Sequence, residues 1–147
     1  MELNEMHWKQ KKLKRNPSGN NGCRVRIDLR FTIYQMQNFK CQYCGTDLKG
    51  EKRNNLHLDH LIPQSKGGKN EPSNLILTCA NCNCSRQDKA WESFADRNGK
   101  RRIRKWIVSM NTEKGIKEFK QTRKVVNSFI NYIKGEETPI NFINAVN

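Results

Sequence analysis

The sequence has few acidic residues and no long apolar segment. Asp and Glu total 14 against 28 Lys and Arg, which gives a formal net charge of +14. A net charge of this size exceeds what solubility requires, and the positive side chains repel one another unless an anionic partner binds. Nucleic acid is the leading candidate for that partner. No run approaches the roughly 18 apolar residues of a membrane-spanning helix, and no segment pairs a bare apolar face with aromatic anchors. We therefore expect no membrane partner.

Apolar residues are scarce as well, at 35% of the chain against about 45–50% in ordinary soluble domains. A chain of 147 residues suits one small domain. With so few apolar residues, its core is expected to need extra stabilisation, such as a bound metal. The stretch MELNEMHWKQKKLKR lacks the apolar segment of a secretory signal peptide. These features predict a cytoplasmic protein in a reducing compartment, where cysteine pairs bind metal more often than they form disulfides.

Two cysteine pairs have the C-x-x-C spacing, Cys41 with Cys44 and Cys79 with Cys82. Each pair can form a knuckle that aims two thiolates at one point, so the four cysteines predict a single structural Zn²⁺ site. Two unrelated cysteine pairs, one of them redox-active, are the alternative. Cys23 and Cys84 remain, and the C-x-C spacing from Cys82 does not make the same knuckle. Cys84 is therefore predicted to be a free thiol.

The apolar pattern between and after the knuckles predicts strand, loop, strand and helix. LHLDH reads as a short strand that ends before Pro63, SKGGKNEPSN as a polar loop, LILTC as a second strand, and NCNCSRQDKAWESFA as a helix. A helix over about 28–38 precedes the first knuckle, and residues 100–134 have a helical period. The predicted organisation is a basic, mobile arm at 1–22, a core at 23–90 and a basic helical extension at 91–147.

Five motifs in order, CQYC, LHLDHLIP, SKGG, PSNL and LTCANCNCSR, cover about residues 39–89. Together they resemble the HNH endonuclease family, many of whose members frame a ββα-metal core with two C-x-x-C knuckles. The resemblance implies an α+β fold, with a small ββα-metal core stapled by a four-cysteine zinc site and flanked by helices. It also implies metal-dependent hydrolysis of DNA phosphodiester bonds.

The resemblance assigns a role to each polar residue of these motifs. His60 would be the general base, since an imidazole suits proton abstraction near neutral pH. Asp59 and Asn83 would hold one catalytic cation, Mg²⁺ or Mn²⁺, through oxygen ligands. Asn74 would pin the loop and so orient His60. Arg86, one turn after Asn83, would face the same phosphate.

Several of these residues have simpler interpretations. Asp59 would then cap a turn, Asn74 would be an ordinary loop residue, and Asn83 would lie on the surface of a helix. His57 alternates onto the strand face of Asp59, so it either approaches the metal or DNA or packs on the surface against the loop.

Basic residues follow the motifs and fall outside the resemblance: Lys100, Arg101, Arg102, Arg104 and Lys105. We expect this basic cluster to contact DNA phosphates without reading sequence, while a solvated charge run is the alternative. The later segment GIKEFKQTRKVVNSFINYIKG carries an apolar stripe that predicts a helix packed on the core, formed by Ile116, Phe119, Val126, Phe129, Ile130 and Ile133.

Two other functions remain open at this point. A zinc-knuckle module that binds nucleic acid without catalysis would share the cysteines and the charge, but the presence of Asp59, His60 and Asn83 together favours the enzyme. An RNA substrate would keep the chemistry, although no RNA-recognition aromatic motif is present. The sequence also leaves a homodimer open.

Overall fold

The structure is a computed structural model that describes residues 25–135. Within that range two strands and five α-helices follow in the order α1 (Ile27–Met36), β1 (His57–His60), β2 (Leu75–Thr78), α2 (Ala80–Arg86), α3 (Trp91–Phe94), α4 (Arg97–Ser109) and α5 (Glu113–Ile133). The α+β class is confirmed. The predicted arm at 1–22 and Cys23 lie outside the described residues.

β1 and β2 form an antiparallel pair in which His57 lies opposite Thr78 and His60 opposite Leu75. All four residues of β2 are buried, whereas all four of β1 are half-buried. Because successive side chains of a strand point to opposite faces, His57 and Asp59 share one face of β1. The predicted order of strand, loop, strand and helix is therefore confirmed, and β1 is the strand that carries the polar residues.

The outer edge of β2 is closed by side-chain and loop groups. Gln37, just after α1, donates from Nε2 to the Leu75 carbonyl at 3.2 Å and accepts at Oε1 from the Leu77 amide at 2.8 Å. The Leu77 carbonyl accepts from the Gln42 amide at 2.9 Å, and the Leu75 amide donates to the Pro72 carbonyl. Every outward backbone group of these two leucines thus has a partner.

α1 packs against β2 on one side and against α5 on the other. Ile33 and Tyr34 of α1 and Val126 of α5 are buried in one continuous apolar core. Asp28 in the first turn of α1 accepts from Arg123 Nε of α5 at 2.9 Å. The long C-terminal helix is therefore part of the folded unit and is joined to α1 by both apolar and charged contacts.

α4 is held against the core by two long side chains. Arg102 donates to the backbone carbonyls of Gln42 and Tyr43 at 3.0 and 2.7 Å, which fixes α4 to the first knuckle. Trp106 donates from Nε1 to the Pro72 carbonyl at 2.8 Å, at the turn that precedes β2.

The helix boundaries differ from the predicted ones in three places. α1 ends at Met36 because Asn38 and Phe39 both have positive φ, 55° and 52°. The predicted single helix through residue 95 is wrong: Gln87 adopts φ 52° and ψ −124°, so α2 stops and α3 begins separately. The helical run at 100–134 is divided before Thr112, whose side chain caps α5 by accepting from the Gly115 amide.

The predicted apolar stripe of α5 is only partly correct. Phe119, Val126, Phe129 and Ile130 are buried, but Ile116 is 41% exposed. None of the helices within residues 25–135 is long and apolar enough to cross a membrane.

Candidate active site and metal centre

The four knuckle cysteines converge on one point. The sulfur atoms of Cys41, Cys44, Cys79 and Cys82 all lie within 4.8 Å of one another. A tetrahedral zinc site with Zn–S distances of about 2.3 Å separates its sulfurs by about 3.8 Å, and Cys44 Sγ lies 3.9 Å from Cys79 Sγ. The donor set and its spacing therefore fit Zn²⁺, while the exposed Cys84 lies outside the cluster.

The thiols of this cluster differ in how readily they ionise. Burial raises the pKa of Cys41 to about 11. Burial also acts on Cys44, but hydrogen bonds from the Thr46 side chain and backbone outweigh it and lower the pKa of Cys44 to about 7. Because zinc binds thiolates, Cys44 needs less help from the metal than Cys41 to lose its proton.

One carboxylate oxygen of Asp59 accepts hydrogen bonds both from the first knuckle and from the end of α2. Tyr43, inside the first knuckle, donates its hydroxyl to Asp59 Oδ2 at 2.9 Å. Arg86, at the end of the helix that begins with the second knuckle, donates from Nη1 to the same oxygen at 2.6 Å. Burial and the neighbouring Asp59 raise the pKa of Tyr43, so the phenol stays protonated. Within residues 25–135 no hydrogen bond reaches Oδ1.

Arg86 has a different position from the predicted one. Its side chain is only 2% exposed, and it also donates to the carbonyls of His60, Leu61 and Lys89 at 2.9, 2.8 and 2.9 Å. The guanidinium therefore ties the end of β1 to the end of α2 rather than opening toward a phosphate. Such a charge needs its full set of partners, because an unpaired buried charge costs several kcal/mol.

His57 and Asn83 form the second contact between α2 and β1. Asn83 Nδ2 lies 3.2 Å from His57 Nδ1, and His57 Nε2 lies 2.8 Å from the Asn54 carbonyl. Because a carbonyl can only accept, Nε2 carries the proton and Nδ1 accepts from the Asn83 amide. Asn83 Oδ1 is then the atom left for another ligand. α2 therefore crosses the face of β1 that carries His57 and Asp59. Asn83 contacts His57, and Arg86 contacts Asp59.

His60 contacts a loop residue that carries no motif in the sequence. His60 Nε2 lies 2.7 Å from Asn70 Oδ1, to which Gln64 Nε2 also donates at 3.3 Å. Asn74 lies inside this loop, where Oδ1 accepts from the Ile62 amide at 2.8 Å. Its Nδ2 donates to the Ile62 and Lys69 carbonyls at 3.1 and 3.0 Å. Asn74 thus holds the loop from within, and none of these hydrogen bonds reaches the His60 ring.

Residues 41–89 match the HNH endonuclease family. The match spans both knuckles, β1, β2 and α2, and it confirms the resemblance carried by the motifs.

The curated relatives are much longer proteins. CRISPR-associated endonuclease Cas9 of Corynebacterium diphtheriae is 29% identical over 126 residues, which covers 76% of this chain and 11% of that protein. The proteins of the same name from Actinomyces naeslundii and Listeria innocua are 31% and 36% identical over 98 and 76 residues, covering 65% and 52% of this chain. The chain spans only 8% and 6% of those two proteins. No solved structure matches the chain.

Within residues 41–89, the structure shows a role in the site for two residues that the sequence analysis did not single out. Tyr43 lies between the cysteines of the first knuckle, so its proximity to the metal cluster was a usable signal, but its bond to Asp59 depends on how the knuckle packs on β1. Asn70 lies in a polar loop that contains other amides and carries no distinguishing pattern.

The basic cluster divides into two sets. Arg101, Arg104 and Lys105 are exposed on α4, whereas Lys100 and Arg102 are half-buried. The guanidinium of Arg102 donates hydrogen bonds to two carbonyls of the first knuckle, so it has a structural role. The exposed three are the members that are open to a partner.

Proposed function

We propose that this chain is a metal-dependent DNA endonuclease of the HNH type. The observation that carries the proposal is the crossing of α2 over β1, which brings Asn83 and Asp59 to the same strand face. His60 follows Asp59 directly, at the end of that strand. The proposed ligand pair therefore shares one face of β1, and the proposed base is the last residue of the same strand.

Asp59 and Asn83 are the residues that would hold the catalytic cation. The hydrogen bonds of Asp59 use Oδ2 and that of Asn83 uses Nδ2, so each side chain keeps Oδ1 for the ion. Two hard oxygen donors favour Mg²⁺ or Mn²⁺. When bound, the cation supplies positive charge beside the scissile phosphate, where negative charge develops.

His60 is proposed as the general base that takes a proton from the attacking water. The carbonyl of this residue is held by Arg86, and its ring is held by Asn70. Both contacts restrict the imidazole, and a base acts efficiently only when its geometry is fixed.

The four cysteines are proposed to bind one structural Zn²⁺. Purified protein should contain about one zinc equivalent, and Cys44→Ser should lose zinc, fold and activity together, because a small core depends on the metal. Cys84→Ser is the matched control and should retain all three. A folded Cys44→Ser protein, or a wild type without zinc by elemental analysis, would contradict the assignment.

DNA is the proposed substrate because the net charge of +14 favours phosphate binding. All three curated relatives are named endonucleases, which supports a hydrolytic role over simple binding. Their activity belongs to far longer chains, and it is proposed for this one on the strength of its own site residues.

The test is cleavage of supercoiled plasmid with added Mg²⁺ by wild type and His60→Ala. Wild type should convert the plasmid to nicked or linear forms. His60→Ala should reduce the rate by roughly 100-fold or more, with zinc content and DNA affinity unchanged. If wild type binds DNA but leaves the plasmid intact, the chain is a binding module without catalysis.

A further inference from the structure

Asn70 is the residue in closest polar contact with the proposed base. The 2.7 Å distance from its Oδ1 to His60 Nε2 is that of a short hydrogen bond. Gln64 Nε2 donates to the same Oδ1. Since an amide oxygen can only accept, both neighbours must be donors, and His60 Nε2 therefore carries a proton.

The position of the proton determines which ring nitrogen can act. A neutral imidazole has one protonated nitrogen and one with a free lone pair. With the proton on Nε2, the lone pair is on Nδ1. Within the described range of 25–135, no hydrogen bond involves His60 Nδ1, so this atom can take a proton from water.

The loop holds Asn70 in a defined place. Asn74 Nδ2 donates to the carbonyl of Lys69, the residue immediately before Asn70. Gly68 packs so tightly that an added Cβ would lie 1.7 Å from the Ile62 carbonyl oxygen. The backbone just before Asn70 is therefore fixed by the hydrogen bond from the buried Asn74 amide and by the close packing of Gly68 against Ile62.

We propose that Asn70 is a positioning residue that holds His60 in the Nε2-protonated tautomer and directs Nδ1 to the attacking water. This inference rests on the proposed function of His60. In the step, a water O–H bond breaks and an Nδ1–H bond forms while the water oxygen bonds to phosphorus. The phosphorus bond to the leaving oxygen breaks, and that oxygen takes a proton from solvent. Asn70 exchanges no atoms or electrons.

The tautomer can be tested without cleavage, by ¹⁵N NMR of the zinc-loaded protein at a pH where the rings are neutral. Nε2 of His60 should show the shift of a protonated nitrogen and Nδ1 that of an unprotonated one. Asn70→Leu, of similar size but without an acceptor, should give a mixture of tautomers. His57 serves as an internal reference whose signals stay the same.

Catalysis supplies the second measurement. Asn70→Leu should lower kcat by roughly 10- to 100-fold, as expected for a misplaced reacting group, with KM for DNA unchanged. Asn70→Asp keeps an acceptor and should retain most of kcat, while its charge raises KM. Asn98→Leu, an exposed asparagine on α4, is the control and should behave as wild type in both measurements.

The outcomes separate this inference from the function on which it rests. If wild type cleaves and either His60 carries its proton on Nδ1 or Asn70→Leu keeps the wild-type kcat, the inference is overturned and the endonuclease remains. If wild type does not cleave, the endonuclease proposal fails and the catalytic role of Asn70 fails with it.

Discussion

His57 and His60 are three positions apart on β1, yet their rings have different partners. His57 has both nitrogens engaged, one by the Asn54 carbonyl and the other by the Asn83 amide. Among residues 25–135, the His60 ring is hydrogen-bonded only at Nε2, by Asn70. The sequence left open whether His57 approaches a metal, and the contacts instead make it a support for the amide of the proposed ligand Asn83.

Replacing His57 by Phe should therefore weaken metal binding without removing the chemistry. Without a partner for its Nδ2, the Asn83 amide can rotate, and the Mg²⁺ concentration for half-maximal cleavage should rise roughly 10-fold, as is typical when a ligand loses its support. Cleavage at saturating Mg²⁺ should stay within several-fold of wild type. The measurements are cleavage against Mg²⁺ concentration and Mn²⁺ binding by electron paramagnetic resonance.

His60→Ala is the matched control, because it should bind Mn²⁺ as wild type does and still fail to cleave. If His57→Phe abolished cleavage at saturating metal, His57 would belong to the chemical step and its supporting role would be wrong.

At the level of elements, α1 and α5 are joined by an ion pair whose effect depends on pH. Burial raises the pKa of Asp28, but the hydrogen bond and charge of Arg123, with Arg26 and the Leu29 amide, lower it overall below 3.8. A carboxyl whose pKa is lower in the folded protein stabilises the fold above its unfolded pKa. That contribution disappears as the pH falls through the folded value.

Asp28→Asn should thus lower the free energy of unfolding by about 1 kcal/mol at neutral pH, a modest effect because Arg123 is partly exposed. The difference from wild type should begin to shrink near the ordinary carboxyl pKa of about 4 and should vanish only below the lowered pKa of folded Asp28. Urea unfolding of both proteins at each pH measures it, and the shared zinc site cancels in the comparison. Asp88→Asn, exposed after α2, should be neutral throughout. A deficit that persists in acid would rule out the ionised pair as its cause.

The elements near the knuckles could be predicted from sequence because their signals are local. The C-x-x-C spacing predicted the four-cysteine cluster, and the apolar runs predicted β1 and β2. The break between α2 and α3 could not be predicted, since a positive φ at Gln87 follows no residue preference. It accompanies the burial of Arg86, whose partners lie about 25 residues earlier in β1 and just after it.

The polar contacts of the site were predictable only in part. Asp59 and His60 are adjacent in sequence, so recognising β1 was enough to place both residues at the end of one strand. The link from Asn70 to His60 depends on the path of a ten-residue loop, which Gly68 and Asn74 determine through tertiary contacts. In the sequence, Arg102 looked like one more member of the basic cluster. Only its hydrogen bonds to the first-knuckle carbonyls show that it has a structural role.

At the level of the whole molecule, the charge on α4 gives a test of DNA binding. Changing Arg101, Arg104 and Lys105 together to Gln should weaken binding to unrelated duplexes alike. The slope of log affinity against log salt should flatten by about 0.9 for each phosphate that the variant no longer neutralises. Sequence preference should remain, because bonds to phosphates carry no base information. The measurement is a binding titration across a salt series.

Arg102→Gln is the matched single variant on the same helix. It should lower the thermal midpoint, because two first-knuckle carbonyls are left without their donor, while the salt slope stays nearly the same. A triple variant with an unchanged slope would instead identify the exposed cluster as a solvated face.

The closed edge of β2 also limits how this protein can associate. An exposed strand edge is a template on which another chain can add a strand, either in a dimer or in an aggregate. Here Gln37 takes the place that a third strand would occupy at Leu75 and Leu77. An incoming strand would have to displace a buried amide and the Gln42 backbone together. Growth of the sheet at this edge is therefore blocked, and a second copy of the chain would have to dock elsewhere.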